Sequence, residues 1–356
     1  MAEMMRAQVL TEVRHFELKQ VPIPEINDEE VLVKVKYCGI CGSDWGSYNG
    51  KYADEVECIP LTTGHEVFGT IAKVGKNVPE DIKEGDRVTY DIVLPCGTCY
   101  HCRIGEPLLC SNFKQIGIHT DGGYAEYVKV PWKNIYKVPD EVSDEKAAFV
   151  EPLTACLNAS HKMGCELGRS VVIIGAGLGI MHAQLAKLRG AAPVIVVDMN
   201  ADRLAMAKEV VADYVIDASK CDPVEEVMKL TNGVGADFVL EAVGHHSTYE
   251  QAFKMLRSGG KLESFGICAD DDYASLPPVQ FVIGEKKISG SCAGIGYDWA
   301  DALTLMKYNR VDPTPLISMI VPLEELEETL HEIRKNPKLV KVLVSPEAKE
   351  RTILYK

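Results

Sequence analysis

Two rhythms of apolar and polar positions divide the chain. Through the first third they alternate, as in Val31-Leu32-Val33-Lys34-Val35-Lys36-Tyr37, Thr70-Ile71-Ala72-Lys73-Val74 and Arg87-Val88-Thr89-Tyr90. A period of two places every second side chain on one face, which is the pattern of a half-buried strand. Gly75, Gly85 and the proline-bearing segment Val21 to Pro24 punctuate these runs. Helical spacing is nearly absent here, so the pattern predicts a compact, irregular, β-rich barrel, to which Gly122-Gly123-Tyr124-Ala125-Glu126-Tyr127-Val128 adds strand. Pro152 suits the first turn of a helix running from Thr154 to Met163. After Gly168 the strands become short and continuously apolar, as Val171-Val172-Ile173-Ile174 and Val194-Ile195-Val196-Val197, the signature of burial on both faces. Further strands at Asp237 to Leu240, Lys261 to Phe265 and Lys287 to Gly290 are interleaved with helical stretches at Met181 to Arg189, Pro223 to Leu230 and Ser247 to Leu256. That alternation predicts a parallel sheet covered by helices on both faces. Helices at Trp299 to Tyr308 and Leu323 to Arg334, then a strand at Val340 to Val344, complete the pattern.

Composition narrows the function. A chain of 356 residues is long enough for two or three domains and buries a core without staples. Its 38 basic and 52 acidic residues give a net charge of −14, which opposes binding to nucleic acid or an anionic membrane surface and favours small-molecule chemistry. The stretch Met1 to Leu10 lacks the apolar core of a signal peptide, and no apolar run is long enough to span a bilayer, so a cytoplasmic protein is expected. In a reducing compartment, twelve cysteines point to metal binding or core packing rather than to disulfides.

Two segments carry donors for a metal. Gly39-Ile40-Cys41-Gly42-Ser43-Asp44 offers a thiol, and Gly64-His65-Glu66-Val67-Phe68-Gly69 offers an imidazole and a carboxylate. Three mixed protein ligands plus water read as a catalytic zinc site. A buried cysteine and a hydrogen-bonded core histidine would give the same letters. A second group, Cys96-Gly97-Thr98-Cys99-Tyr100-His101-Cys102 followed by Cys110, can wrap one ion in four thiolates, the closed shell of structural zinc. An iron–sulfur cluster fits less well, since the ferredoxin run needs a shorter last gap followed by proline and Ser111 follows Cys110. Glu151 precedes Pro152 at a helix start, where a carboxylate is favoured electrostatically whether or not it does chemistry.

The turn Gly175-Ala176-Gly177-Leu178-Gly179-Ile180 lies between the first buried strand and its helix, and Asp198 ends the second strand. Strand, glycine turn, helix and strand in this order place pyrophosphate on a helix N-terminus and ribose hydroxyls on the acid. The usual third glycine falls at Ile180, with Gly179 one place early. A carboxylate at 198 repels a 2′-phosphate and favours NAD over NADP, while Arg203 pulls the other way. Glu241-Ala242-Val243-Gly244 ends a strand and reads either as lining for the nicotinamide, Val243 foremost, or as a plain turn.

Taken together, Cys41-Gly42-Ser43-Asp44, Gly64-His65-Glu66, the four cysteines, Glu151-Pro152-Leu153 and the Gly175 turn resemble the zinc-dependent medium-chain dehydrogenase/reductase family over essentially the whole chain. The resemblance implies an α/β protein. A GroES-like catalytic domain would cover 1–155, with 292–356 returning to it, beside a Rossmann domain at 156–291 in a homodimer or homotetramer. It implies two zinc ions per chain, one structural on Cys96, Cys99, Cys102 and Cys110 and one catalytic. Cys41 and His65 would be direct ligands of the catalytic ion, Glu66 a ligand or an acceptor behind one, and Glu151 a ligand directly or through water. Asp44 would orient the site, and Ser43 would take the hydroxyl proton as hydride passes to the cofactor. Glu-Pro-Leu is similar to the sorbitol and polyol branch, whereas Cys156 reads as core. Relatives complete the proton relay with a histidine after the Ser-Asp pair. Trp45-Gly46-Ser47 supplies none, leaving solvent or His119. Segments with Ser47, Tyr48, Ile116 to His119 and Ala293 to Tyr297 are expected to line the pocket. No arginine of the sorbitol type stands near Gly290 to Tyr297, so the substrate is left as a polyol, cyclitol, diol or other secondary alcohol, with L-threonine or another amino alcohol as the alternative. An inactive NAD-binding scaffold or sensor is the remaining alternative.

Overall fold

The computed structural model describes residues 3–51 and 53–354, with only the backbone of residue 53. The chain forms two units, one of Met1–Pro152, Ile295–Asn309 and Leu316–Lys356, the other of Leu153–Gly294 and Arg310–Pro315.

The first unit is built on an eight-stranded sheet. Its central strand, Glu30–Gly39, pairs antiparallel with Glu66–Val74, with Tyr127–Pro131 and, at its far end, with Lys341–Ser345. Alternating valines of that strand are buried, which is the energetic reason for its register. The pairing sets Gly39 opposite both Glu66 and Leu343. Cys41 therefore lies just past the end of one strand, His65 just before a second and Lys341 at the start of a third. A hairpin of Met4–Glu12 and His15–Pro22, closed by a left-handed Arg14, packs Met5, Ala7 and Val9 against Ala125. The proline-bearing segment thus belongs partly to a strand of this two-stranded sheet, a position that tolerates a missing donor. Residues Gly42–Tyr48 are helical rather than loop. Asp44 accepts the Cys41 backbone N–H at 2.7 Å and starts the helix, a local bond that a search for apolar periodicity does not detect.

The second unit holds six parallel strands in the spatial order Tyr214–Asp217, Val194–Asp198, Val171–Ile174, Ala236–Glu241, Leu256–Ser264 and Lys287–Gly290. Their core is aliphatic, with Val172, Ile195, Val239 and Leu262 fully buried. The order runs outward in both directions from Val171–Ile174 and Ala236–Glu241, and such a reversal is where doubly wound sheets bind ligands. The first helix starts at Gly179, two residues before the expected Met181, because Leu178 already has helical angles. Pro223–Leu230 is capped by the Asp222 carboxylate on the Val224 N–H at 2.8 Å. Among the described residues, no helix is long and apolar enough to cross a membrane.

Candidate active site and metal centres

The strand ends of the first unit bring Cys41, His65 and Glu66 together, with ligand atoms all within 4.8 Å of one another. Glu151, in the first turn of the helix Val150–Met163, lies outside that tight group but is buried close enough for His65 and Glu66 to act on its charge. Asp44 supports the group: its Oδ2 accepts from the Cys41 backbone and from the Tyr124 hydroxyl at 2.8 Å, and its Oδ1 lies 3.8 Å from His65 Nδ1. Lys341 donates to both oxygens of Glu66, at 2.6 and 2.7 Å, and to the Ile40 carbonyl at 3.0 Å. Glu66 is therefore already an anchored acceptor. Its carboxylate lies where a side chain on residue 39 would sit, since a Cβ there would be 2.1 Å from Glu66 Oε2.

The donor set suits a dication. Burial opposes the His65 imidazolium, yet Cys41, Asp44 and Glu151 around it outweigh burial and hold its pKa well above the ordinary value. Burial pushes the Glu151 carboxyl up to about 7, against the pull of His65 and with the push of Glu66. Around Lys341 the chain thus gathers the Glu66 and Glu151 carboxyl groups and the Cys41 thiol. Thiol, imidazole and carboxyl converge in one buried place, with His65 Nδ1 turned toward Asp44, and a metal ion is the partner such a donor set fits.

Cys96, Cys99, Cys102 and Cys110 form the other group, again within 4.8 Å. Four sulfurs at about 2.3 Å from one ion are about 3.8 Å apart, and Cys99 and Cys110 are separated by 3.9 Å. Backbone N–H groups of Cys96 and Asn112 point at the Cys110 sulfur, each at 3.3 Å. Those of Cys102 and Ser111 draw the Cys99 thiol down to about 5. All four cysteines are free of disulfides.

The residues expected around the substrate have partners of their own. Tyr48 turns its hydroxyl to the Arg14 carbonyl, Glu327 and His331, because neighbouring helical positions face different ways. Ser47 bonds the Glu55 carboxylate and the Ser43 carbonyl. His119 accepts the Gln115 N–H at Nδ1 and so donates from Nε2 to Asp54 at 3.2 Å, which engages both ring nitrogens away from Ser43. Residues 293–297 straddle the boundary of the two units. Cys156 is buried in its helix. Lys341 and Tyr124 were not foreseen. The signal for Lys341 was a charged residue opening an otherwise apolar strand.

In the second unit, Gly175 has φ +101°, and a Cβ there would lie 3.0 Å from Val243 Cγ2. The Val243 loop therefore borders the glycine turn across the point where the strand order reverses. At Gly177 a Cβ would meet nothing closer than Arg203 Nη1 at 3.9 Å, which leaves the backbone open to a ligand. Gly179 packs against Ile173. Asp198 accepts from Ala176 N at 2.6 Å and Asn200 N at 2.8 Å, so its carboxylate is held at the mouth of the turn.

A buried mixed-donor cluster in one unit and a dinucleotide turn in the other define a zinc- and nucleotide-dependent oxidoreductase. Comparison with known sequences agrees. Residues 27–140 match the alcohol dehydrogenase GroES-like domain and residues 177–308 the zinc-binding dehydrogenase domain. The chain is 35% identical over 328 residues to an L-threonine 3-dehydrogenase of Bacillus velezensis, covering 89% of this chain and 92% of that one. It is 36% identical over 353 residues to a sorbitol dehydrogenase of Halalkalibacterium halodurans, covering 96% and 99%. A solved chain from Sinorhizobium meliloti, described as a zinc-binding dehydrogenase bound to NADP, superposes with a TM-score of 0.90 at 33% identity, covering 97% and 100%. The chain belongs to the zinc-type medium-chain alcohol dehydrogenase family. It is an oxidoreductase that moves hydride between an alcohol and a nicotinamide dinucleotide.

Proposed function

We propose that this enzyme oxidises a secondary alcohol of the polyol, cyclitol or diol type with NAD, through a zinc site made by Cys41, His65 and Glu151. The observation that carries the reading is the buried cluster in which Glu66 is taken by Lys341 while Cys41, His65 and, beside them, Glu151 are left as donors for an ion. Zinc bound there would supply Lewis acidity that acidifies a substrate hydroxyl, and the nicotinamide would supply the hydride acceptor. Asp44 holds the Cys41 backbone and faces His65, which fixes the donors before the ion arrives. Lys341 engages both Glu66 oxygens and so keeps them from crowding the ion. Ser43, in the first turn of the Cys41 helix, takes the hydroxyl proton. Cys96, Cys99, Cys102 and Cys110 hold the second, structural zinc.

Asp198 supports NAD, because a carboxylate fixed at the ribose end of the turn repels a 2′-phosphate. Arg203 beside Gly177 and the NADP-bound relative make the cofactor a measurement to be run in both forms. L-Threonine is the second reading, supported by the 35% identity to an L-threonine 3-dehydrogenase.

The test is dinucleotide reduction with polyols, inositols, diols and L-threonine, each with NAD and with NADP. A secondary polyol or diol with NAD is expected to give the highest kcat/KM, and turnover of primary alcohols alone overturns the reading. A second copy is expected at the outer strand Lys287–Gly290, whose Ile288 is exposed near the exposed Val282 and Ile283. Light scattering should give two or four chains, and Ile283→Glu should shift that state. The twelve free thiols support a reducing, cytoplasmic setting.

A further inference from the structure

The strand Ala236–Glu241 ends in a turn that the Glu241 carboxylate ties to the backbone N–H groups of Val243 and Gly244, at 2.9 and 3.0 Å. Two consecutive histidines follow. His245 caps the helix His246–Met255, with Nδ1 2.8 Å from the Ser247 hydroxyl. The backbone N–H of His246 donates to Asp272 Oδ2 at 2.9 Å, and His246 Nδ1 shares a short hydrogen bond with Asp272 Oδ1. The two imidazole rings lie 4.2 Å apart at an angle of 34°. One donor atom from each of His245, His246 and Asp272 falls within a span of 4.8 Å.

We propose that His245, His246 and Asp272 form a third metal site, separate from both clusters of the other unit, which takes a late first-row dication such as Zn²⁺ or Ni²⁺. Two imidazoles and one carboxylate suit these ions, whereas Mg²⁺ and Ca²⁺ require a shell of oxygens. The side chains are partly exposed, so water completes the coordination. The hydrogen bond between His246 and Asp272 is the form such a site takes without metal. Two groups that would flank an ion are hydrogen-bonded to each other in its place. The backbone N–H of His246 keeps Asp272 oriented and holds its pKa below the usual carboxylate value. Three donors from two segments, with His245 held by Ser247 and Asp272 by the His246 backbone, distinguish this arrangement from a chance pair of surface histidines.

The probe is Ni²⁺ added to untagged full-length enzyme that retains its own zinc, with bound metal measured by equilibrium dialysis. The parent should bind one more Ni²⁺ per chain than His246→Gln. Asp272→Asn removes the charged ligand itself and should weaken that binding by at least the ~10–100-fold that follows loss of a carboxylate lying behind a ligand. Cys268→Ser, a change at a nearby thiol outside the site, should bind as the parent does. The circular dichroism spectrum must match the parent for each variant. If His246→Gln misfolds, His245→Asn at the exposed ring carries the same expectation. Equal stoichiometry and affinity in the parent and the histidine variants would overturn the site, as would loss of Ni²⁺ binding in Cys268→Ser.

Discussion

The two donor clusters of the first unit, proposed as metal sites, solve one problem in opposite ways. The Cys96 to Cys110 group is local, with four like donors within one short, half-exposed stretch and backbone N–H groups stabilising the sulfurs. The Cys41 group is assembled from distant segments and is buried, mixed in donor type and counter-charged by Lys341, 275 residues from Glu66 in sequence. A closed shell needs only the right spacing and contributes stability. A shell meant to bind substrate must keep a surplus of negative charge in a dry place, and the fold has to hold that charge from several directions.

The comparison can be broken experimentally, beginning where the effect is largest. Cys99→Ser should remove the structural ion, whose counterparts in small zinc peptides contribute about 10–16 kcal/mol of apparent binding. Metal content should fall by one zinc and protease should cut between Cys96 and Cys110, whereas an unchanged zinc count refutes the assignment. Cys41→Ser should lower turnover on the order of 10³-fold, the size of lost Lewis-acid help, with NADH binding retained. Activity close to that of the parent would remove Cys41 from the site.

Lys341→Met should destabilise by about 3–5 kcal/mol, because Glu66 is left buried and unpaired. Lys341→Met with Glu66→Gln should recover most of that in a urea melt, and no recovery would mean that the pair is not the cause. Gly39→Ala should cost about 1–3 kcal/mol by overpacking against Glu66. A parent-like melting temperature would show that the strand end yields.

The smallest expected signal is in protons. The Cys99 thiol, drawn down to about 5, is ionised at pH 7 before metal arrives, whereas burial pushes the Cys102 thiol up to about 12 and its proton must leave on binding. Zinc added to the stripped cluster at pH 7 should therefore release fewer than four protons, and release of four would contradict the N–H contacts.

What was legible in the sequence follows the same divide. Cys96-X-X-Cys99-X-X-Cys102 and the Gly175 turn between two apolar strands are short-range patterns, and the chain folds them as their spacing implies. Cys41 and His65 were legible through their glycine-rich surroundings, but their meeting depends on the register that sets Gly39 opposite Glu66. Lys341 lay hidden because a lysine in a strand usually faces solvent, and only tertiary pairing turns this one inward. Tyr48 and Ser47 could not be separated without knowing that Gly42–Tyr48 is a helix, which carries adjacent side chains to different neighbours. His119 stood beside solvent as one of two ways to finish the proton relay, and its partner Asp54 comes from a segment with no apolar period to mark it.

The strand Lys341–Ser345 has a bearing on how the enzyme matures. On the ribosome every zinc donor of the Cys41 group emerges long before Lys341 does. Until that strand docks beside Glu30–Gly39, Glu66 has no counter-ion, and a nascent chain that captures zinc early would hold it in a lopsided shell. A message truncated upstream of codon 341 would yield a polypeptide with Cys41, His65 and Glu151 but without the lysine that pairs with Glu66.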